Sequence, residues 1–192
     1  MSGGYNKLLI CSAGLPGSGK GVIAKAAKKI GLPVIVMGDI VRKETLKEGL
    51  KPNIQNTAKI MIEYRIKYGM DIFAKLTFRE VEKIDNKIIF IDGVRNPEEL
   101  EFFRKKGCET IVIAVLASPK ERFRRLRERK RVDDIRSYND FVKRDEREIK
   151  IGLWRVLLYA DKFFVNEGKT REQAIDEALQ LLSELIEVEK EN

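Results

Sequence analysis

Near the start of the chain, Gly14-Leu15-Pro16-Gly17-Ser18-Gly19-Lys20 has the spacing G-x-x-x-x-G-K, and Gly21 and Val22 follow it. Residues of these types at this spacing can bind phosphate. Glycines let the backbone curl until successive N–H groups converge on one point, and a following helix adds its positive N-terminal end. Such a nest holds a di- or triphosphate, with Lys20 as a mobile cation for the outer phosphates. The flanks supply the context the motif requires, a buried strand before it (Leu8-Leu9-Ile10-Cys11) and helical spacing after it (Val22, Ile23, Ala26, Ala27, Ile30). One position departs from the usual pattern. Gly21 stands where a Ser or Thr hydroxyl ordinarily binds magnesium, so the ion must be held by a carboxylate and water. Asp92, at the end of the apolar run Lys87-Ile88-Ile89-Phe90-Ile91, is the candidate.

Two arginines form the next constellation. Arg42 lies one helical turn beyond Gly38-Asp39, and Arg95 follows Asp92-Gly93-Val94. Each guanidinium fork matches a phosphate bidentately, and two forks with nothing acidic between them would hold the phosphate of an acceptor. A third cluster is the basic segment from Lys120 to Arg131, where eight of twelve residues are Lys or Arg. It offers Arg122, Arg125 and Arg129, with Arg131 and Arg144 nearby, as cations that a closing lid could bring to a transferring phosphoryl group. Arg124, Arg127 and Lys130 read as a solvated face. Only Phe123 lies among these basic residues, too few aromatics for a single-strand nucleic-acid surface, which stays possible but not preferred.

The elements that must position these residues are legible from periodicity. Runs at 8–11, 34–37, 87–91, 111–116 and 163–165 are apolar apart from Lys87 and are separated by helical segments. A parallel sheet covered on both faces requires that pattern, so the fold class is α/β, a three-layer α/β/α sandwich with a five-stranded parallel sheet. Ligands in such folds bind beyond the carboxyl ends of the strands. Gly14–Lys20, Gly38-Asp39, Asp92-Gly93, Ser118 onward and Asn166-Glu167-Gly168 each follow a strand and so share one rim. Pro52 suits a first helical turn before Ile54, and Thr170 with Gln173 makes a capping box for the last helix. The 192 residues read as one domain, with an acceptor-binding insertion over about 40–70 and a lid over about 127–143.

Composition bounds the rest. There is no His, so histidine catalysis and histidine metal sites are excluded, and Cys11 and Cys108 have neither disulfide nor zinc spacing. No apolar run has the length of a membrane span and no charged-then-apolar leader opens the chain, which points to the cytoplasm. The formal net charge of +8 fits an anionic partner.

Three of these motifs together resemble adenylate kinases and related nucleoside monophosphate kinases. Residues 14–21 are similar to their P-loop, Met37-Gly38-Asp39-Ile40-Val41-Arg42 to their T-G-D-x-x-R segment, and Asp92-Gly93-Val94-Arg95 to their D-G-F-P-R. Further matches, at Tyr68-Gly69-x-x-x-x-Ala74, Arg131-x-Asp133-Asp134 and Arg144-Asp145, extend a resemblance to archaeal adenylate-kinase-related P-loop proteins over nearly the whole chain. The resemblance implies ATP and Mg2+ as cofactors and transfer of the γ-phosphoryl group to a small phosphorylated acceptor, most simply a nucleoside monophosphate. It implies that Gly14 to Val22 and Arg125 hold the donor, that Asp39, Arg42 and Arg95 hold the acceptor, and that Lys20, Arg95 and Arg129 act in transfer. Met37 stands where adenylate kinases keep a Thr near the acceptor base, and Glu99 near the position of a base-reading Gln. A dephospho-coenzyme A-type kinase acting on a hydroxyl, with Asp39 taking the proton, is the alternative, as is a nucleotide-dependent module contacting RNA or protein.

Overall fold

The structure, a computed structural model, describes residues 6–129, 135 and 137–191. Five strands form one parallel sheet: β1 (Leu8–Ala13), β2 (Val34–Val36), β3 (Ile88–Asp92), β4 (Glu109–Leu116) and β5 (Lys162–Val165), in the order β2-β3-β1-β4-β5. The loop strand β1 is therefore central, flanked by β3 and β4. Side chains alternate along each strand, so two apolar cores form, one on each face. Leu9, Cys11, Ile89, Ile91 and Val112 pack under α2 (Met37–Lys47), α3 (Ile54–Tyr68), α4 (Ile72–Val81), α5 (Pro97–Lys105) and α8 (Leu153–Leu158). Leu8, Ile10, Phe90, Ile113, Val115 and Phe164 pack under α1 (Lys20–Lys29) and α9 (Arg171–Glu191). This is the three-layer sandwich expected from the apolar runs. Both cysteines are buried within the first core and unpaired.

Two helices complete the rim, α6 (Pro119–Arg129) and α7 (Tyr138–Ile151). A small satellite core of Leu126, Ile135 and Phe141, with Ile54 and Phe123 against it, joins them to the start of α3. Helix α7 opens on a capping box in which Ser137 and Asp140 satisfy each other's backbone N–H groups. Thr170 and Gln173 form the reciprocal pair expected before α9.

Local differences from the sequence reading have identifiable causes. Met37 begins α2 instead of ending β2, because pairing of β2 with β3 ends at Val36 opposite Asp92. Pro52 lies before the N-cap: the Asn53 side chain accepts from the Asn56 N–H at 2.9 Å, and α3 starts at Ile54. The continuous periodicity from Phe141 to Leu157 is divided into α7 and α8 at Gly152, where φ is 110°. Of the segment expected to form a lid, residues 130–134 and 136 lie outside the described residues, with Arg131, Asp133 and Asp134 among them.

Candidate active site

A cleft of about 660 Å³ runs along the carboxyl ends of the strands. Its floor is the glycine loop. Gly17 and Gly19 adopt φ values of 84° and 100°, in the left-handed region open to glycine. Space is as restrictive as torsion there. A Cβ on Gly17 would lie 2.5 Å from the Arg122 carbonyl oxygen, and one on Gly19 would lie 1.9 Å from Asn166 Nδ2. The loop thus presents bare backbone to the cleft because neighbours crowd it from behind. Ser18 Oγ is buried without a hydrogen-bond partner among the described residues.

Lys20, the first residue of α1, donates from Nζ to the Gly14 carbonyl at 2.6 Å. Burial lowers its pKa from 10.5 to about 8, although Asp92 pulls the other way. Beside it, Ser12 and Asp92 are register partners on β1 and β3, and the Ser12 hydroxyl donates to Asp92 Oδ1 at 2.7 Å. That bond fixes one carboxylate oxygen of Asp92, which lines the cleft. No group of three or more His, Cys, Asp or Glu side chains suited to a metal exists among the described residues. The residues present still fit magnesium held jointly with a nucleotide, through one hard carboxylate oxygen and water.

From the loop the cleft extends in two directions set by the strand order. Over β4 and β5 it is lined by Arg125, Asn166, Lys169, Thr170 and Arg171. Arg125 donates to the Ser18 carbonyl at 3.2 Å and the Asn166 carbonyl at 2.9 Å, while Asn166 Nδ2 donates to the Ser18 carbonyl at 3.1 Å. Arg125 thereby bridges the phosphate loop and the β5–α9 turn. Arg129, also expected in the site, lines the same cleft.

Over β2 and β3 the lining is Arg42, Arg95, Arg144, Arg147 and Glu148 among apolar residues of α2 and α3. Local sequence fixes Arg95: Asn96 caps α5 ahead of Pro97, and Glu99, at the third helical position, accepts the Arg95 N–H at 2.7 Å. The arginine pair is brought to one cleft, as expected, but the premise that nothing acidic lies between its members is overturned. Arg42 is ion-paired to Asp39 one turn back on α2, and Arg95 Nη1 donates to Glu148 Oε1 at 2.8 Å. Burial would raise the Glu148 pKa, but the charges of Arg95, Arg144, Arg147 and Lys20 outweigh it and hold the carboxyl below its ordinary range. Glu148 is an anion at the meeting point of four cations.

Two further residues fall elsewhere than expected. Arg122 is only 4 % exposed at its side chain and forks onto Asp145 at 2.9 and 2.6 Å, also donating to the Pro16 carbonyl at 3.2 Å. It ties α6, α7 and the glycine loop together and does not line the cleft. Glu99, near the base-reading position of the resemblance, is fully buried. Its oxygens are committed to Arg65 Nη2 and the Arg95 N–H, each at 2.7 Å.

Residues 13–141 match the AAA domain family. Over 185 residues the chain is 40% identical to the UPF0200 protein of Hyperthermus butylicus, covering 96% of this chain and 98% of that one. The chain belongs to the UPF0200 family. Another member, from Thermococcus onnurineus, is 42% identical over 164 residues, 83% of this chain and 89% of the other. Among solved structures, shikimate kinase from Bacteroides thetaiotaomicron aligns with a TM-score of 0.61 at 20% identity, covering 94% of this chain and 98% of that one. At that identity the likeness is one of fold, a kinase-like P-loop fold of the kind that binds nucleotides.

For this UPF0200 protein, sequence reasoning missed Ser12, buried behind Asp92, and several residues of the cleft, including Arg124, which it read as solvated, and Arg147 and Glu148. A signal for the last two existed. Arg144, Arg147, Glu148 and Ile151 recur at i, i+3, i+4 and i+7, one face of α7, and the charges sit on the face that also carries a buried apolar residue. No helix among the described residues is long and apolar enough to cross a membrane.

Proposed function

We propose that this protein transfers the γ-phosphoryl group of ATP to a small phosphate-bearing acceptor, most simply a nucleoside monophosphate, in the cytoplasm. The observation that carries this reading is the continuity of the cleft. One cavity joins a glycine loop built for a polyphosphate to a second, arginine-lined half reached across Lys20. The donor phosphates lie on the loop N–H groups from Gly14 to Val22, with Lys20 on their outer oxygens and Arg125 beside the nucleoside. The acceptor phosphate lies between Arg42 and Arg95, with Asp39 orienting Arg42. The segment over 40–70 forms the acceptor side of a single kinase domain, and the segment over 127–143 forms its lid.

Phosphoryl transfer of this kind needs alignment and charge neutralisation more than proton transfer, because a phosphate acceptor is already an anionic nucleophile. Lys20, Arg95 and Arg129 neutralise the charge spread over the moving group and keep donor and acceptor oxygens in line. Asp92, oriented by Ser12, would hold magnesium together with the nucleotide. When bound, the ion supplies charge neutralisation on the terminal phosphates. Glu148 keeps the Arg95 guanidinium in place while no phosphate is near. A hydroxyl acceptor is the weaker reading, since Asp39, its base, has Oδ1 engaged by Arg42.

The test is ADP release from ATP and magnesium by the purified protein across a panel of nucleoside monophosphates and dephospho-coenzyme A. Acceptor-dependent release with a doubly phosphorylated product supports the reading, and a flat rate across the panel refutes it.

A further inference from the structure

We propose that the face formed by α8 and β5 is an interaction surface whose partner is a second copy of this chain, packed about a two-fold axis. None of its side chains lines the cleft. On the side of the sheet that carries the first core, the edge strand β5 lies bare. Phe163 and Val165 are register partners of Ala114 and Leu116, and alternation puts all four on the side of Val112, which belongs to that core. Phe163 is 58% exposed and Val165 52%, whereas Phe164 between them, on the other side under α9, is 2% exposed. Leu116 beside them is 37% exposed. Lys162, the one charged residue of β5, points away with Phe164, so this ledge is uncharged.

Helix α8 forms a wall beside the ledge. It packs on β1 and β4 with α5 on its far flank, and the turn at 159–161 sets it antiparallel to β5. Leu153, Val156 and Leu157 face the core, and Arg155 reaches to Glu98 of α5 at 2.8 Å. Trp154 and Leu158, one helical turn apart, therefore project from the flank away from α5, above β5. Both are more than half exposed, as is Tyr159 in the turn. Three aromatic and three aliphatic side chains thus make one continuous step of wall and ledge.

Area and shape choose the occupant. At these exposures the three rings present roughly 400 Å². With Leu116, Leu158 and Val165 the face is on the order of 600 Å², the top of the range for one apolar patch on a monomer and most of the about 800 Å² that each side of a stable interface contributes. Its relief is a step, because a helix diameter of about 10–12 Å separates the crest of α8 from the ledge. A flat lipid surface cannot touch both levels. A second copy can, since a two-fold axis at the foot of the step lays each α8 on the other's ledge, the self-complementary contact of a closed dimer. Interface cores are enriched in Trp, Tyr and Phe, and Trp154, Tyr159 and Phe163 supply them here.

The experiment is sedimentation of the full-length protein from about 1 to 100 μM, with the emission of Trp154, the single tryptophan, read over the same range. A monomer–dimer equilibrium is expected, with emission moving to longer wavelength as dilution bares the indole. Phe163→Glu and Leu158→Glu, at exposed positions, should keep the wild-type circular dichroism and weaken the dimer by more than about 30-fold, as loss of a buried anchor does. Ile66→Glu, the same kind of change at an 81% exposed site on α3, should leave the dimer intact. The inference is overturned by a wild-type monomer at the highest concentration, or by association that continues past two copies. It is overturned equally by a dimer that Phe163→Glu and Leu158→Glu leave intact, that Ile66→Glu disrupts, or whose Trp154 emission is unchanged on dissociation.

Discussion

Replacing Arg95 by Ala separates the two halves of the cleft. Arg95 is bonded to Glu148 at 2.8 Å, with their side chains 23% and 4% exposed. The substitution leaves a buried carboxylate short of one partner, which costs about 3–5 kcal/mol where no other cation is near. Here Arg144, Arg147 and Lys20 still surround Glu148, so the loss falls toward that of one charged hydrogen bond, about 2 kcal/mol. At about 2–4 °C per kcal/mol for a chain of this size, the melting temperature should drop by roughly 4–8 °C. Transfer should suffer more. Removing one preorganised donor to a developing charge lowers turnover by about 10²–10³. ATP affinity should change by less than about twofold, since the loop, Arg125 and Asn166 are untouched.

A double variant, Arg95→Ala with Glu148→Gln, tells structure from chemistry. Glu148→Gln takes away the unpaired anion, but Arg144, Arg147 and Lys20 lose their shared carboxylate with it, so stability recovers only in part while transfer remains low. Single-turnover phosphoryl transfer, ATP-analogue titration and thermal melts on the three proteins would decide it. Equal loss of ATP binding and transfer in Arg95→Ala would put this arginine on the donor side. Recovery of transfer along with stability in the double variant would reduce its role to holding Glu148.

Gly19→Ala should abolish nucleotide binding in the same titration while the fold survives by circular dichroism. Its Cβ would meet Asn166 Nδ2 at 1.9 Å at a φ of 100°, and retention of wild-type affinity would mean that the loop does not carry the phosphates. Nucleotide binding should take up protons around pH 8, because phosphate oxygens restore the Lys20 pKa from about 8 toward 10.5. Titration calorimetry in buffers of different ionisation heat reads this directly, and affinity should fall as pH rises above 8; zero net uptake would refute it. In the free protein the same depressed pKa acts on stability with the opposite slope. Between about 8 and 10.5 the unfolded chain binds more protons at Lys20 than the folded one, so this group's destabilisation, full below pH 8, is relieved as pH rises through that window. Arg122→Ala should cost about 3–5 kcal/mol by leaving Asp145 unpaired, which denaturant unfolding would measure. A loss under about 1 kcal/mol would show that the fork onto Asp145 and Pro16 does not hold α7 to the loop.

Much of this was written locally. A run of apolar residues, a glycine turn and a helical period follow from contacts within about ten residues. The five strands, the phosphate loop and the rim shared by Asp39, Asp92 and Asn166 could therefore be read from sequence. So could the two-layer covering of the sheet, because continuous apolar strands have no solvent face. Partnerships were decided otherwise. Whether Arg122 reaches a ligand or a carboxylate depends on where α7 sets Asp145, 23 residues away, and Arg95 meets Glu148 across 53 residues. A guanidinium looks the same in sequence in either role. The Glu99 carboxylate likewise reads as a cleft residue until α3 brings Arg65 against it. Residue type and spacing determined that the chain gathers a glycine loop and polar residues on one rim, whereas packing of distant helices decided which charges are tied to one another and which face the cleft. The physical reason is that a charge is assigned by whatever opposite charge the fold buries beside it, and that neighbour is seldom close along the chain.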